Sequence, residues 1–284
     1  VGVVHVVYVV PFFLEATLRF VAGAAQIPGV VLSVLSQDPE SKLPPDSRLG
    51  IRAHWQVQDA LDPRQLVEGV RALARHVAPV DRVVGSLEQL QEPLAIACAE
   101  LGLPGLAIEA ARNFRDKARM KDVLRAAGLP CARHALVRHA DDARAFVAAV
   151  GFPVVAKPPA GAGAANTYRL DDADALARYL ASHPPVAANP ALFEEFLSGQ
   201  EHSFDSVCVD GELAWWSVSR YLPSALTVVE NPWIQWCVLL PRELEGYEDV
   251  RDAGHRAVRE LGLRTGMTHL EWFRRPDGSL AISE

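Results

Sequence analysis

Lysine, methionine and cysteine are scarce in this 284-residue chain, and it has no excess of positive charge. The four cysteines, Cys98, Cys131, Cys208 and Cys237, stand far apart and form no CxxC pair. That spacing argues against a zinc site or a disulfide framework and fits a reducing, cytoplasmic compartment. Acidic residues outnumber basic ones by 35 to 28, a formal charge of −7 that provides no broad basic field for nucleic acid or anionic lipid. A long membrane-spanning run is missing too. The apolar opening over residues 1–14 has no basic leader, contains His5 and Pro11, and soon meets Glu15 and Arg19, so it reads as a buried strand. What is present, 50% apolar and 22% charged residues, is an ordinary globular composition long enough for about two domains. The chain opens on Val1 instead of Met and stops in an apolar, strand-like run, which leads us to expect a fragment.

Periodicity divides the chain. Val3 to Val10 is nearly continuous and β-branched, as a parallel strand covered on both faces should be, and Glu15 to Gln26 follows with helical spacing. Val30 to Leu35 reads as a strand, and 62–76 as a helix capped by Asp62 with Pro63 at its first position. Arg82 to Val84 reads as a strand and Glu88 to Leu101 as a helix stopped by Gly102. This alternation predicts an α/β domain with a parallel sheet over residues 1–110. A charged helix is expected from Arg115 to Ala127, then strands at 135–137, 154–157 and 167–170 around a helix at 141–150. From Leu192 onward, stretches at 192–196, 203–209, 213–219, 237–240, 268–273 and 279–283 predict one antiparallel sheet, with Asp210-Gly211 and Asp277-Gly278 at turns. A helix is expected at 246–261. The resulting partition is 1–110, a small lobe at 111–190, and a larger, incomplete lobe at 191–284.

Against twenty-four arginines the chain has only Lys42, Lys117, Lys121 and Lys157. A lysine is a compact point charge suited to a narrow phosphate pocket, where the wide guanidinium fork of arginine is not equivalent. Lys157 ends the apolar run Phe152-Pro-Val-Val-Ala and precedes the small-residue segment 158–165. A strand-end cation beside such a loop suits a nucleotide triphosphate, since backbone N–H groups close over phosphates while the ammonium neutralises charge. A strand-edge lysine beside an ordinary hairpin loop has the same signature. Gly161-Ala-Gly163 is followed by a strand-like stretch instead of a helix, which disfavours a dinucleotide fingerprint, and the lysine precedes the glycines, which disfavours a Walker loop. Glu271 and Glu284, on strands joined through Pro276-Asp-Gly278, would lie side by side and repel unless a hard cation such as Mg²⁺ sits between them. Two solvent-facing acids would show the same pattern. Adjacent residues on a strand point to opposite faces, so His202 and Ser203 are poorly placed for a hydrolase triad.

Four ordered blocks, Arg115-Asp-Lys117-Ala-Arg-Met, Phe152 to Lys157 with its Gly/Ala loop, Glu194-Glu-Phe-Leu-Ser-Gly-Gln-Glu201, and Thr268-His-Leu-Glu271 with Ile282-Ser-Glu284, resemble the ATP-grasp superfamily of carboxylate–amine ligases. The resemblance implies an α+β fold of two lobes behind the α/β domain, C-terminally truncated here. It implies that Lys117 and Lys157 hold the α- and β-phosphates of ATP. The loop of Ala160, Gly161, Ala162, Gly163 and Ala164 would cover the triphosphate. Glu194, Glu195, Phe196 and Leu197 would meet adenine largely through backbone groups, with Glu201 at the ribose. Glu271 and Glu284 would ligate Mg²⁺ or Mn²⁺, and Arg220, in Ser217-Val-Ser-Arg-Tyr221, is the internal cation for γ-phosphate or substrate carboxylate. The implied reaction makes an acyl phosphate from a carboxylate and ATP, which an amine then converts to an amide. Implied partners are small carboxylates and amines, amino acids among them, with no nucleic acid or membrane; a homodimer is compatible. A nucleotide-binding sensor without turnover and a biotin carboxylase-like enzyme are the alternatives. The segment 223–240, with Trp233 and Trp236, fits a substrate-facing loop or a packed core.

Overall fold

The computed structural model describes residues 2–161 and 166–284. Ala162, Gly163 and Ala164, expected in the covering loop, lie outside the described residues. Two units separate, Val1–Arg115 and Asp116–Glu284.

In the first unit, β1 (Val4–Val9), α1 (Glu15–Ala25), β2 (Val30–Ser36), α2 (Pro45–Arg48), β3 (Ile51–Gln56), α3 (Pro63–His76), β4 (Arg82–Val84), α4 (Gln91–Leu101) and α5 (Ile108–Arg115) follow in order. The strands form a parallel sheet in the order β3-β2-β1-β4. Alternate residues of β1 enter different cores: Val7 and Val9 pack with Leu66, Val70 and Leu73 of α3, while Tyr8 packs with Val21 of α1. That two-sided burial is the reason β1 reads as a nearly continuous apolar run. Asp62 caps α3, accepting from the Arg64 N–H at 3.0 Å, and Gly102 closes α4 at φ +66°. Strand β3, Ile-Arg-Ala-His-Trp-Gln, has no clean alternation; it is an edge strand ordered by its parallel ladder with β2.

The second unit begins one residue later than the charged helix predicted from Arg115. Asp116 is extended (φ −98°, ψ 107°) and caps α6 (Lys117–Ala126) by accepting from the N–H groups of Ala118 and Arg119. Next in the chain come β5 (His134–Val137), α7 (Ala140–Val150), β6 (Val154–Lys157), β7 (Tyr168–Leu170), α8 (Ala173–Ser182), β8 (Ala191–Glu195), β9 (Gln200–Val209), β10 (Glu212–Leu222), α9 (Ala225–Glu230), β11 (Cys237–Leu239), α10 (Glu248–Leu261), β12 (Gly266–Arg274) and β13 (Leu280–Ile282). Two sheets result, β5-β8-β6-β7 and β11-β10-β9-β12-β13. The stretch 192–196, expected to open the second sheet, instead stands at the centre of the first. Its Phe193 packs with Phe146, Val154, Ala156 and Tyr179, and so β8 is covered by α7 and α8 instead of α10. At Gly199 (φ +138°) a Cβ would sit 2.2 Å from the Arg274 carbonyl oxygen, so only glycine allows the chain to cross so closely between β8 and β9. Among the described residues no helix is long and apolar enough to cross a membrane.

Candidate functional site

Strand pairing and helix α6 together bring three of the four lysines to one place. Val155 pairs with Glu194 and Lys157 with Leu192, so Lys157 and Glu194 share a face as diagonal neighbours, while Ala156 and Phe193 turn into the apolar core. Lys157 Nζ lies 3.2 Å from Glu194 Oε2 and 3.6 Å from Glu284 Oε2. Lys117 pairs with Glu284 Oε1 and donates to the Gly161 carbonyl at 2.9 Å, and its own N–H donates to the Pro159 carbonyl at 3.0 Å. These bonds tie the start of the small-residue loop to the first turn of α6. The ladder between β12 and the chain after β13 sets Glu271 against Glu284, with the Glu271 N–H donating to the Glu284 carbonyl at 2.7 Å. Across β9, Glu271 stands opposite Ser203, and Phe273 opposite Glu201.

A cleft of about 290 Å³ opens among these groups, lined by Lys117, Lys157, Gly161, Glu194 to Leu197, Glu201, Glu271, Phe273 and Glu284, with Ala225, Val228, Val229 and Trp236 on a further wall. One end is charged and the other apolar. Glu194 is 4% exposed; burial pushes its carboxyl up, and the two lysines beside it more than offset that, so its pKa stays low. Burial likewise opposes the ammonium of Lys157, and the charges of Glu194 and Glu284 outweigh it, so its pKa is raised. Glu201 is pushed up to about 7, by burial first, against the Ala225 N–H that donates to its Oε2 at 2.7 Å, with the charge of Glu271 adding to the rise. The arrangement therefore offers paired cations near one buried acid, and two further carboxylates across from them.

Not every expected residue joins this cleft in the expected manner. The Glu195 carboxylate turns to the Arg133 backbone and guanidinium, at 2.9 and 2.7 Å. The N–H groups of Glu195 and Phe196 are already used by the Arg133 and Pro153 carbonyls. Ala160 is exposed at the loop's start. Arg220 is a correction. It pairs with His202 in the β9–β10 ladder, on the side opposite the cleft-lining Glu201, and borders a separate recess with Gln200, Glu245, Tyr247 and Arg274. A one-residue step along a strand reverses the face, and that parity keeps Arg220 off the cleft wall. His202 stacks on Trp272 with ring centroids 4.3 Å apart, and Ser203 Oγ donates to Asp205 at 3.0 Å, so no hydrolase triad forms there.

Three features escaped the reading of the residues. Lys121 is fully buried, four residues from Lys117 on the same helix face, and this i,i+4 spacing was the available signal. His269 bonds Asp205 at 2.7 Å and stands 3.8 Å from Glu271; chiefly through that Asp205 bond it is raised to about 10. Helix α9, six residues long, supplies an apolar wall of the cleft with no sequence signal beyond the Ser224 cap.

No family model matches the chain. It is 26% identical over 213 residues to the L-arginine-specific L-amino acid ligase of Bacillus subtilis, a match covering 73% of this chain and 51% of that protein. The chain spans about half the length of the curated relatives it matches. The crystal structure of an L-amino acid ligase from Bacillus licheniformis superposes with a TM-score of 0.77 at 19% identity, covering 99% of this chain and 66% of that one. An N5-carboxyaminoimidazole synthetase from Staphylococcus aureus complexed with ADP gives a TM-score of 0.78 at 13% identity, covering 100% and 70%. The chain thus has the fold of these ligases and synthetases, and it is similar in sequence to amino acid ligases over about three quarters of its length.

Proposed function

We propose that this cleft binds ATP with a divalent cation, and that the protein joins a small carboxylate to an amine, amino acids being the substrate class, with release of ADP and phosphate. The observation that carries the reading is the alternating row Lys117, Glu284, Lys157, Glu194, in which two nearly buried ammonium groups border a cleft while engaged by carboxylates. Entering phosphate oxygens would take over those ammonium groups, Lys117 and Lys157 holding the α- and β-phosphates. Ala160 and Gly161 would begin the loop above them, the chain at Glu194 to Leu197 would border adenine, and Glu201 the ribose. The donor set fits magnesium or manganese. Among the described residues no group of three or more potential ligands forms a self-sufficient metal cage. Two carboxylates, Glu271 and Glu284, on one wall are what a cation bound chiefly through phosphate oxygens and water requires. When bound, the cation would offset charge on the phosphates as the γ-phosphoryl group moves.

The chemistry follows from the weakness of a carboxylate as an acyl donor, since it has no leaving group an amine displaces in water. Its oxygen attacks the γ-phosphorus, the bond to ADP breaks, and the acyl phosphate forms. Attack by the amine nitrogen at the acyl carbon then expels phosphate, and the nitrogen loses a proton.

Calorimetric titration of Mg·ATP into the wild type, Lys157→Ala and Glu271→Ala tests the nucleotide step. We expect magnesium-dependent binding, weakened about 10–100-fold in each variant, the range for losing a hydrogen bond to a charged group. Absence of binding to the wild type, or unchanged affinity in both variants, would overturn the reading. ADP formation dependent on both a carboxylate and an amine tests the ligation.

A further inference from the structure

Lys121 has no exposed surface and does not border the cleft, yet it lies against the residues that do. A buried ammonium is costly unless carboxylates and carbonyls around it replace water. Its Nζ donates to the Ser283 carbonyl and stands 3.3 Å from Glu194 Oε1. The second contact is an ion pair without hydrogen-bond geometry, which leaves Glu194 Oε1 with no hydrogen-bond partner. The other oxygen of the same carboxylate faces Lys157 at 3.2 Å. Glu194 is thus divided between two cations, one outside the cleft and one on its wall. Were Lys121 neutral, the whole carboxylate charge would fall on Lys157 and match its ammonium one for one. The Ser283 bond acts on the neighbouring position, because Ser283 precedes Glu284, whose carboxylate meets both Lys117 and Lys157.

We propose that Lys121 is a positioning residue for the phosphate end of the cleft: by sharing Glu194 and holding the Ser283 carbonyl, it keeps the Lys157 ammonium and the Glu284 carboxylate available to a nucleotide's phosphates. The inference rests on the nucleotide reading above and deepens it. Burial lowers the pKa of Lys121, an effect that Glu194 offsets only in part, whereas Glu194 itself stays ionised between its two lysines. Helix α6 thereby contributes twice, with Lys117 reaching the cleft directly and Lys121, one turn on, acting through Glu194.

The test is the affinity of the whole protein for Mg·ATP and for adenosine, measured by competition against a fluorescent ATP analogue, in the wild type, Lys121→Gln and Lys121→Arg. Glutamine keeps a donor for the Ser283 carbonyl and removes the charge. We expect Lys121→Gln to bind Mg·ATP about 10–100-fold more weakly, the usual cost of losing an outer support of a binding group. Adenosine affinity should change by less than about threefold on the same argument, and Lys121→Arg should recover most of the Mg·ATP affinity. A purely structural lysine would weaken both ligands alike, and that outcome overturns the proposal, as does unchanged Mg·ATP binding. Should Lys121→Gln not fold, Lys121→Gln/Glu194→Gln takes its place: with no Glu194 charge left to fall on Lys157, Mg·ATP affinity within about threefold of the wild type is expected, and a larger loss overturns the proposal. Failure of the wild type to bind Mg·ATP overturns both readings; a wild type that binds beside an unaffected Lys121→Gln overturns this one alone.

Discussion

On β9 the residues Glu201, Ser203 and Asp205 share one side of the five-stranded sheet, and His202, Phe204 and Ser206 the other. The first side meets Phe273, Glu271 and His269 of β12 across the ladder; the second meets Trp272, Leu270 and Thr268. Glu201, Glu271 and Phe273 line the cleft, whereas Phe204 and Trp272 are fully buried, with the Phe204 ring against Gly254 of α10. The same strands therefore carry cleft-lining carboxylates on one side and packing on the other, separated only by residue parity. The two sides should accordingly give separate phenotypes: changes on the α10 side should move stability, and changes on the cleft side should move ligand affinity.

The packed side should respond most strongly. Phe204→Ala should lower unfolding free energy by about 3–5 kcal/mol, the range for deleting a buried aromatic ring, while the folded fraction keeps wild-type Mg·ATP affinity. Denaturant titration beside calorimetry checks both halves, and a selective loss of affinity would break the division. On the cleft side, Glu271→Gln should weaken Mg·ATP about 10–100-fold, on the charged hydrogen-bond scale, with little change in melting temperature. A milder change is expected at Gly254, where a Cβ would lie 2.6 Å from the Phe204 ring. Gly254→Ala should cost about 1–3 kcal/mol through overpacking, and Gly254→Ala/Phe204→Leu should recover part of it.

The pH profile separates the two sides as well, because there they act with opposite sign. His202 is depressed to about 4, chiefly by burial, so the unfolded chain takes up its proton first as pH falls. Its contribution is complete above the ordinary histidine range near 6.5 and is lost on acidification toward 4. Glu201, raised to about 7 from 4.5, contributes fully below 4.5, and that contribution is lost as pH rises toward 7. His202→Phe should therefore flatten the acid limb of melting temperature against pH, and Glu201→Gln should remove the decline between 4.5 and 7. A His202→Phe profile parallel to that of the wild type would show that this ring does not set the acid limb.

Much of this was legible where local signals and burial agree. Strand β1 is apolar at nearly every position because both its faces are covered, and α3 carries its own cap in Asp62 with Pro63 behind it. Lys157 was legible as the end of an apolar strand. Strand β3 and helix α9 were not, since an edge strand with mixed residues and a six-residue helix take their order from what they pair with.

Residue order alone was enough to place most of the alternating elements of the first unit, β3 apart, and the ordered blocks around Lys117, Lys157, Glu201 and Glu271, and the scarcity of lysine made Lys117 and Lys157 conspicuous. It took the folded chain to put β8 with β5 and β6, to turn Arg220 away from the cleft, and to bring Lys121 to a carbonyl 162 residues further along. The division comes from the range of the forces involved. Helix caps and apolar periodicity act within a few residues, whereas the side a strand residue faces and the partner that makes a buried charge tolerable depend on register between distant segments.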